Sequence, residues 1–309
     1  MPELPDVVVY LDAIERDIVG HRIERIDVRG MAVLKSFDPP ISEAHGKTVT
    51  GTRRLGKRLV LELEDDLFLV IHLMIAGRLF WREPDVKPGR DGLLVARFEH
   101  GALLLREVAK KKRARVWLHR GEQAMLDEHD RGGAEPLDID RATFADRLTA
   151  ENRTLKRALT NPRTYSGIGN AYSDEILHRA RLSPFQLSDS LEDRESEQLF
   201  SAIVSILEEW TTRLAAEVGD GFPEKVTAFR EEMAVHGRFN QPCPDCSAPV
   251  QRIRYASNET NYCPACQTGG KLLADRALSR LLKKDWPRNL EELEARQRQS
   301  AGTPVMRNK

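Results

Sequence analysis

The sequence predicts an α+β chain of several domains, with an N-terminal β-sandwich led by a helix, then a helical domain, then a small cysteine-rich module. Three observations predict this order. Short apolar segments separated by turn residues fill the first third, apolar residues recur at helical spacing in the middle, and all four cysteines lie towards the C-terminus. A length of 309 residues suits about two domains of ordinary size with a sizeable buried core.

Composition excludes several other classes of protein. With 40% hydrophobic and 31% charged residues, the chain has the mixture of a folded soluble protein rather than a disordered one. The longest apolar run, Leu67 to Gly77, is interrupted by His72 and is far shorter than the ~20 residues that cross a bilayer. The first twenty residues are acidic and lack the apolar centre of a secretion signal, so we expect a cytosolic or nucleoid location.

The charged residues are balanced in number but segregated along the chain. Lys plus Arg and Asp plus Glu each total 48. Two N-terminal stretches, Arg22 to Arg58 and Arg106 to Arg120, are strongly basic, Gln186 to Glu232 is acidic, and His236 to Asp285 is basic again. This pattern is compatible with a positive groove for a polyanion, or simply with solvated charged faces.

The pattern of the first 130 residues predicts a helix followed by strands. Val8, Leu11 and Ile14 have helical spacing and predict a helix over Pro5 to Val19, which Gly20 ends. Seven short apolar or β-branched segments separated by turn residues predict strands at Arg22 to Val28, Lys47 to Arg54, Arg58 to Leu63, Leu67 to Leu73, Gly77 to Trp81, Leu93 to Phe98 and Ala102 to Arg106. Their spacing is typical of a sandwich or barrel.

A plausible linker, Asp130 to Gly133, separates the strands from a helical region. Its predicted helices are Arg141 to Thr160, Asn170 to Ala180 and Asp189 to Glu217. A helix-like segment, Leu272 to Lys284, precedes a polar tail. We therefore assign the sandwich to residues 1–130, the helical domain to 131–230, the cysteine module to 231–270 and the tail to 271–309.

The cysteines form two pairs, Cys243-Pro-Asp-Cys246 and Cys263-Pro-Ala-Cys266, on either side of a predicted β-hairpin, Pro249 to Tyr262. This is the spacing of a four-thiolate zinc site. Disulfides are the alternative, but an intracellular chain favours zinc. Because four protein ligands leave no open position, we expect one structural Zn²⁺ that stabilises the module.

The N-terminus offers a second kind of chemistry. Removal of Met1 would leave Pro2 with a free secondary amine, and α-amino groups titrate near pH 7.7 to 8.0, so part of the population is nucleophilic at neutral pH. The adjacent Glu3 carboxyl could transfer a proton to a leaving group. The alternative interpretation is an ordinary turn at the start of a helix.

These features together carry a resemblance. The segment from Met1 to Val7, Lys57 before an apolar strand, the run Gly167-Ile-Gly-Asn-Ala-Tyr172 opening a helix, and the terminal zinc finger resemble the formamidopyrimidine-DNA glycosylase and endonuclease VIII family over about residues 1 to 270. The resemblance implies a catalytic sandwich, a helix-two-turn-helix DNA-binding domain and a zinc finger. It also implies a monomer that acts on damaged DNA, as a bifunctional glycosylase and AP lyase for oxidised bases in base excision repair.

The resemblance also implies roles for individual residues. Pro2 would form a Schiff base with the deoxyribose C1′, Glu3 would be the acid that helps to open the sugar, and Lys57 would contact phosphate and assist elimination. Asn170, at the start of a helix, would hold the bent DNA backbone. The damaged nucleotide must be flipped out of the stack, which costs a few kcal/mol.

The chain departs from the family pattern at three places. Met74-Ile75 replaces the usual Gly-Met, so either side chain could be the wedge that fills the gap left by the flipped base. The usual Arg-Phe of the intercalation loop aligns with Lys112-Arg113, beside Lys111, which exchanges an aromatic side chain for charge. Asn258 occupies the position of a phosphate-gripping arginine linked to δ-elimination.

Two consequences follow from these departures. Arg254, or its neighbour Arg252, would have to contact phosphate in place of the missing arginine, although the hairpin register stays open at this level. The stretch Phe222 to Arg238 is short for a loop that covers flipped 8-oxoguanine, which favours oxidised pyrimidines, ring-opened purines or hydantoins. Two other hypotheses remain: a catalytically impaired DNA-damage-binding protein of the same fold, and a zinc-ribbon interaction protein, which leaves Pro2 and Glu3 unexplained.

Overall fold

The computed structural model describes residues 1–30, 32–224, 226–227, 230–255, 258–274 and 287–301. The chain divides into two compact units. The first consists of Met1–Asp140, Asn161–Gly169 and Val204–Ala228, and the second of Arg141–Thr160, Asn170–Ile203 and Phe229–Lys309. Among the described residues, no helix has the length and apolar character that a membrane span requires.

The first unit begins with helix α1, Leu4–Ile18, as the apolar spacing predicts. The Asp6 carboxylate accepts the Glu3 backbone N–H at 2.9 Å, and this satisfies a donor that the start of a helix leaves unpaired. The apolar stripe that includes Tyr10 and Ile14 is buried in the main core. Helix α1 is therefore fixed to the sandwich, and it holds the residues before Leu4 in place.

Two antiparallel four-stranded sheets share this core, which confirms the predicted sandwich within the described residues. One sheet has the order β1-β6-β7-β5 and the other β2-β3-β4-β8. The strands are β1 (Arg25–Val28), β2 (Val49–Leu55), β3 (Arg58–Leu63), β4 (Leu67–His72), β5 (Gly77–Arg82), β6 (Gly92–Phe98), β7 (Gly101–Glu107) and β8 (Arg115–Arg120). β8 was not among the predicted strands, because its apolar residues Val116 and Leu118 alternate inside a run of basic ones.

A short helix, α2 (Glu122–His129), covers the outer face of the second sheet. Its Met125 packs with Val60, Phe68 and Val70 in a separate apolar cluster. With so few apolar residues, this helix gives little periodic signal in the sequence. The connection from β8 to the helical region is therefore partly helical rather than a simple loop.

The second unit contains α3 (Arg141–Thr149), α4 (Leu155–Leu159) and α5 (Asn170–Arg179), and the long helix α6 (Asp193–Val218) starts there. The predicted single helix over Arg141 to Thr160 is wrong. The chain leaves the helix after Thr149 because its backbone pairs with another segment: Leu155 N–H donates to the Gln186 carbonyl, and Ser188 N–H donates to the Arg153 carbonyl.

The cysteine module contains the predicted hairpin, formed by β9 (Gln251–Tyr255) and β10 (Asn258–Tyr262), followed by the short helix α7 (Pro264–Thr268). Most of the predicted tail helix, Leu272 to Lys284, lies outside the described residues. Within the predicted polar tail, Leu290–Ala301 forms a helix.

Candidate functional site

The predicted catalytic residues lie in the first unit, and Glu3 is the best defined of them. Its side chain is only 2% exposed, and its carboxylate Oε2 accepts the Gly169 backbone N–H at 2.7 Å. The next residue, Leu4, donates its backbone N–H to the Gly167 carbonyl at 3.0 Å. The start of α1 is therefore bound to the segment 167–169 by backbone and side-chain hydrogen bonds.

The two glycines of that segment allow a close approach that other residues would block. A Cβ at Gly169 would overlap the Glu3 carboxylate and Lys57 Nζ, which places these two groups beside the same backbone position. Gly167 has φ +80, a left-handed conformation, and a Cβ there would lie 2.9 Å from the Leu4 Cβ. The run Gly167-Ile-Gly169 therefore completes the surroundings of Glu3 and Lys57.

The amino-terminal group is partly desolvated. Pro2 is buried, and burial is the main cause that lowers the pKa of the terminal amine, carried by Met1 in the full chain. Glu3 opposes this shift, whereas Arg78 and Lys57 favour it by charge repulsion. The lowered pKa increases the unprotonated fraction of an amine in this position at neutral pH.

Basic side chains gather at one end of the second sheet. Lys57 and Arg58 lie at the start of β3, and His72, at the end of β4, pairs in register with Arg115 at the start of β8. Burial lowers the pKa of His72 to about 3, and repulsion from Arg58, Lys57 and Arg115 adds to the effect, so His72 is neutral at physiological pH. The sequence prediction missed His72, although it is the one polar residue in the apolar run.

Arg54 connects the loops that carry the site residues. Its Nη1 donates to the Gly56 carbonyl at 2.9 Å, in the turn before Lys57, and lies 3.4 Å from the Ser166 hydroxyl. Its Nη2 pairs with Glu135. Nothing in the sequence distinguishes Arg54 from the neighbouring basic residues, so the prediction did not include it.

The structure distinguishes between the two candidate wedge residues in the turn between β4 and β5. Ile75 is 54% exposed and is one of the few large apolar side chains at the described surface. Met74 is half-buried and has a left-handed backbone with φ +54. Ile75 therefore has the exposure that a wedge requires.

The basic residues of the loop after β7 also differ in their exposure and partners. Lys111 and Arg113 are exposed. Lys112, in contrast, pairs with Asp91 at 2.9 Å and also donates to the Glu107 carbonyl. Of the three predicted DNA contacts in this loop, Lys112 already has a protein partner.

The remaining predicted DNA contacts lie in the second unit. Asn170 is the first residue of α5, and its Nδ2 donates to the Glu259 carbonyl at 2.8 Å. In the hairpin, Arg254 is exposed and pairs in register with Glu259. Asn258 pairs in register with Tyr255 beside the turn, and its side chain lies outside what the structure describes.

Arg252 is oriented differently from Arg254. Its guanidinium lies 4.0 Å from the centroid of the Phe239 ring and 3.6 Å from the Glu259 carboxylate. These contacts within the module make Arg252 a packing residue.

The four cysteine sulfurs lie within 4.8 Å of one another. Cys243 and Cys266 are 3.9 Å apart and Cys246 and Cys263 are 3.4 Å apart, close to the edges of about 3.8 Å expected for a tetrahedron with metal–sulfur bonds of about 2.3 Å. The donor set and geometry fit one structural Zn²⁺, as predicted. His178 Nε2 lies 3.3 Å from the Cys243 sulfur, a neighbour that orients this ligand.

Family models match three successive parts of the chain. The formamidopyrimidine-DNA glycosylase N-terminal domain matches residues 1–117, the H2TH domain of the same enzyme matches 133–218, and the zinc finger found in FPG and IleRS matches 240–269. These matches follow the order of the sandwich, the helices and the cysteine module.

Whole-length relatives give the same result. The formamidopyrimidine-DNA glycosylase of Desulfitobacterium hafniense is 30% identical over 278 residues, covering 86% of this chain and 100% of the relative. A formamidopyrimidine-DNA glycosylase-like protein of Mycobacterium tuberculosis, described as uncharacterized, is 40% identical over 151 residues, covering 49% of this chain and 94% of that protein. A solved complex of Lactococcus lactis Fpg with FAPY-dG-containing DNA has a TM-score of 0.76 and 27% identity, over 86% of this chain and 100% of that one.

The sandwich, helical domain and zinc finger therefore define a DNA glycosylase architecture. The chain belongs to the formamidopyrimidine-DNA glycosylase family.

Proposed function

We propose that this protein is a bifunctional DNA glycosylase and AP lyase that removes oxidised bases, with the Pro2 amine as nucleophile. The observation that carries the proposal is the group formed by buried Glu3 and Gly169 and half-buried Lys57 beside the amino terminus. Solved structures of relatives, which include a complex of Lactococcus lactis Fpg with abasic-site DNA, support DNA as the partner.

The chemistry follows from the groups present once Met1 is removed. The Pro2 nitrogen lone pair forms a bond to C1′ of the damaged nucleotide, and the base leaves with the electron pair of its glycosidic bond and takes up the proton that the Pro2 nitrogen loses, which restores the nitrogen lone pair. Glu3 provides the proton that opens the sugar at its ring oxygen, which leaves a cationic iminium between Pro2 and C1′.

The iminium then makes strand cleavage possible. It acidifies the neighbouring C2′ proton, and removal of that proton expels the 3′ phosphate by β-elimination. Lys57 Nζ lies beside Glu3 and Gly169, and in this proposal it balances phosphate charge during the step. In the chain that still carries Met1, burial lowers the pKa of the terminal amine, and this supports the first step because only an unprotonated amine attacks carbon.

DNA binding uses residues other than Pro2, Glu3 and Lys57. The exposed basic residues Lys111, Arg113 and Arg254 neutralise phosphates, and Asn170 at the start of α5 adds a polar contact. Ile75 enters the stack where the damaged nucleotide leaves it, which offsets part of the unstacking energy.

Borohydride trapping tests the proposal. The protein is incubated with abasic-site DNA and reduced, and we expect a covalent protein–DNA adduct. In Pro2→Gly lacking Met1, the adduct should disappear only if the primary amine of the new glycine cannot replace the proline amine. A form that retains Met1, in which the Pro2 nitrogen is part of a peptide bond, is therefore the stricter test. Pro5→Gly, a matched change inside α1, should keep the adduct.

A second candidate function is a damage-binding protein with impaired catalysis. It is favoured by Asn258 at the position of the usual arginine and by the pairing of Lys112 within its own domain. A wild-type protein that binds abasic DNA tightly but forms no adduct and leaves the strand intact would establish this alternative and overturn the lyase proposal.

A further inference from the structure

A pair of buried histidines in the first unit takes no part in the proposed chemistry. His119, in β8, and His129, the last residue of α2, are 8% and 2% exposed, and their Nε2 atoms are 2.9 Å apart. The Glu128 carboxylate lies 3.8 Å from His119 Nε2. All three ligand atoms lie within 4.8 Å of one another.

The protonation state of the pair suits metal binding. Burial lowers the pKa of His129 to about 3, with repulsion from Arg58 as the next cause, and burial also lowers the pKa of His119. Both rings are therefore neutral at physiological pH. In such a pair, one Nε2–H donates to the lone pair of the other Nε2, and a shift of that one proton to Nδ1 leaves two lone pairs facing the same point.

We propose that His119, His129 and Glu128 form a binding site for one divalent cation of the zinc class, separate from the four-cysteine finger. Two imidazoles and a carboxylate are a donor set that zinc and cobalt accept and that magnesium and calcium do not favour. Zinc–nitrogen bonds of 2.0 to 2.1 Å in a tetrahedron require the two nitrogens to be about 3.3 Å apart, so a small side-chain adjustment suffices. Because Glu128 is half-exposed, water can complete the coordination.

Nearby charges set a limit on the affinity. The positive charges of Arg58 and Arg131 lie near His129 and repel a cation bound there, while the negative charge of Glu128 offsets part of this repulsion. We therefore expect weaker binding here than in the finger, which has four thiolate ligands. Arg131 is exposed, so Arg131→Gln removes repulsion without opening the core, and it should tighten binding several-fold.

The first test counts zinc. The protein with its finger already loaded is equilibrated with buffered free Zn²⁺, and bound zinc is measured by mass spectrometry of the metal. We expect two zinc ions per chain in the wild type and in Arg131→Gln. In Glu128→Gln and in His119→Gln we expect only the single zinc of the finger. Glu128→Gln changes a half-exposed side chain, so its fold should be retained, and its melting temperature without added metal checks this.

Matched controls address a second histidine pair at the surface. The rings of His21 and His100 have centroids 4.0 Å apart, and the double change His21→Gln, His100→Gln should leave the zinc count at two. A count of one in the wild type at millimolar free zinc, or a second zinc that persists in both Glu128→Gln and His119→Gln, overturns the proposal.

A spectroscopic test identifies the ligands. When Co²⁺ is added to protein in which only the finger holds zinc, it should give visible bands without the intense thiolate-to-cobalt transitions of a cysteine site. The Trp117 ring lies 4.6 Å from the His129 ring, so bound Co²⁺ should quench its fluorescence, and this quenching should be lost in Trp117→Phe and reduced in Glu128→Gln. Thiolate-to-cobalt bands, or equal quenching in Trp117→Phe, contradict a site at His119 and His129.

Discussion

At the start of α1, two buried carboxylates one helical turn apart have different partners. Asp6 accepts the Glu3 backbone N–H and so fixes the first residues of the chain. The Glu3 carboxylate accepts the Asp6 backbone N–H in the same capping box, and it also accepts the Gly169 N–H and lies beside Lys57 Nζ. Both carboxylates therefore hold the start of the helix in place, and they differ in that Glu3 also connects it to Gly169.

The first prediction concerns this difference. Glu3→Gln keeps the size of the side chain and an oxygen acceptor for the Gly169 N–H, but it removes the titratable proton. We expect base excision to fall ~100-fold or more while affinity for abasic DNA changes by no more than about threefold. Single-turnover excision and equilibrium binding measure the two separately. Asp12→Asn, on the same helix, is the control, and parallel losses of binding and excision in Glu3→Gln would contradict the assigned role.

The second prediction concerns the glycine that faces Glu3. In Gly169→Ala the added methyl group must displace the Glu3 carboxylate and Lys57 Nζ, so we expect excision to fall ~10-fold or more. Gly30→Ala is the control, because a Cβ there meets only Leu93 at an ordinary distance of 3.6 Å. Excision rates and melting temperatures are compared for both variants. Wild-type excision by a folded Gly169→Ala protein would show that Glu3 and Lys57 need no fixed position.

At the scale of elements, strand β9 of the hairpin carries two arginines, Arg252 and Arg254, with different surroundings. Because Arg254 is exposed and Arg252 packs on Phe239, we expect only Arg254 to release a counterion from DNA. Arg254→Ala should weaken binding and reduce the slope of log affinity against log salt by about 1. Arg252→Ala should instead lower the thermal stability of the finger, with a smaller effect on that slope. Equal slopes for wild type and Arg254→Ala would mean that this side chain does not contact phosphate.

The elements that the sequence predicted well share a strong local signal. Helix α1 has a full apolar stripe, and the hairpin lies between two cysteine pairs of fixed spacing. The missed elements have weak or conflicting local signals, because β8 alternates inside a basic run and α2 has few apolar residues. The break after Thr149 depends on backbone pairing with residues 186–188, which no periodicity within the helix could reveal.

At the scale of the whole molecule, the sequence indicated candidate residues but not the contacts that these residues make. The sequence indicated Glu3 and Lys57 as candidates through their resemblance to a family pattern. It could not show that Gly169, 166 positions from Glu3, donates to its carboxylate. Nor did it indicate Arg54, whose partner Ser166 is 112 positions away, or the pair His119 and His129, which meet only because α2 packs against β8.

The fourth prediction concerns the choice of lesion. The segment from Phe222 to Arg238 is held near both ends. Phe222 packs against Tyr10 and Glu224 pairs with Arg82, while the Glu175 carboxylate accepts three successive backbone N–H groups from Ala234 to His236. Nine residues, 225–233, remain between the anchored positions, too few in our view to cover a flipped purine. We expect oxidised pyrimidines, ring-opened purines or hydantoins to be excised faster than 8-oxoguanine opposite cytosine, and a panel of single-lesion duplexes tests the order.

The last prediction concerns the product of strand cleavage. A second, δ-elimination requires the remaining 5′-linked phosphate to be held while the sugar remnant leaves, and a bidentate arginine suits that phosphate far better than a neutral amide. With Asn258 at that position and Arg252 packed on Phe239, we expect the nicked strand to keep an unsaturated sugar at its 3′ end. A denaturing gel distinguishes this end from a 3′ phosphate. Asn258→Arg should shift the product towards the 3′ phosphate, and a wild type that already yields mainly 3′ phosphate would show that another cation, such as Arg254, takes over this role.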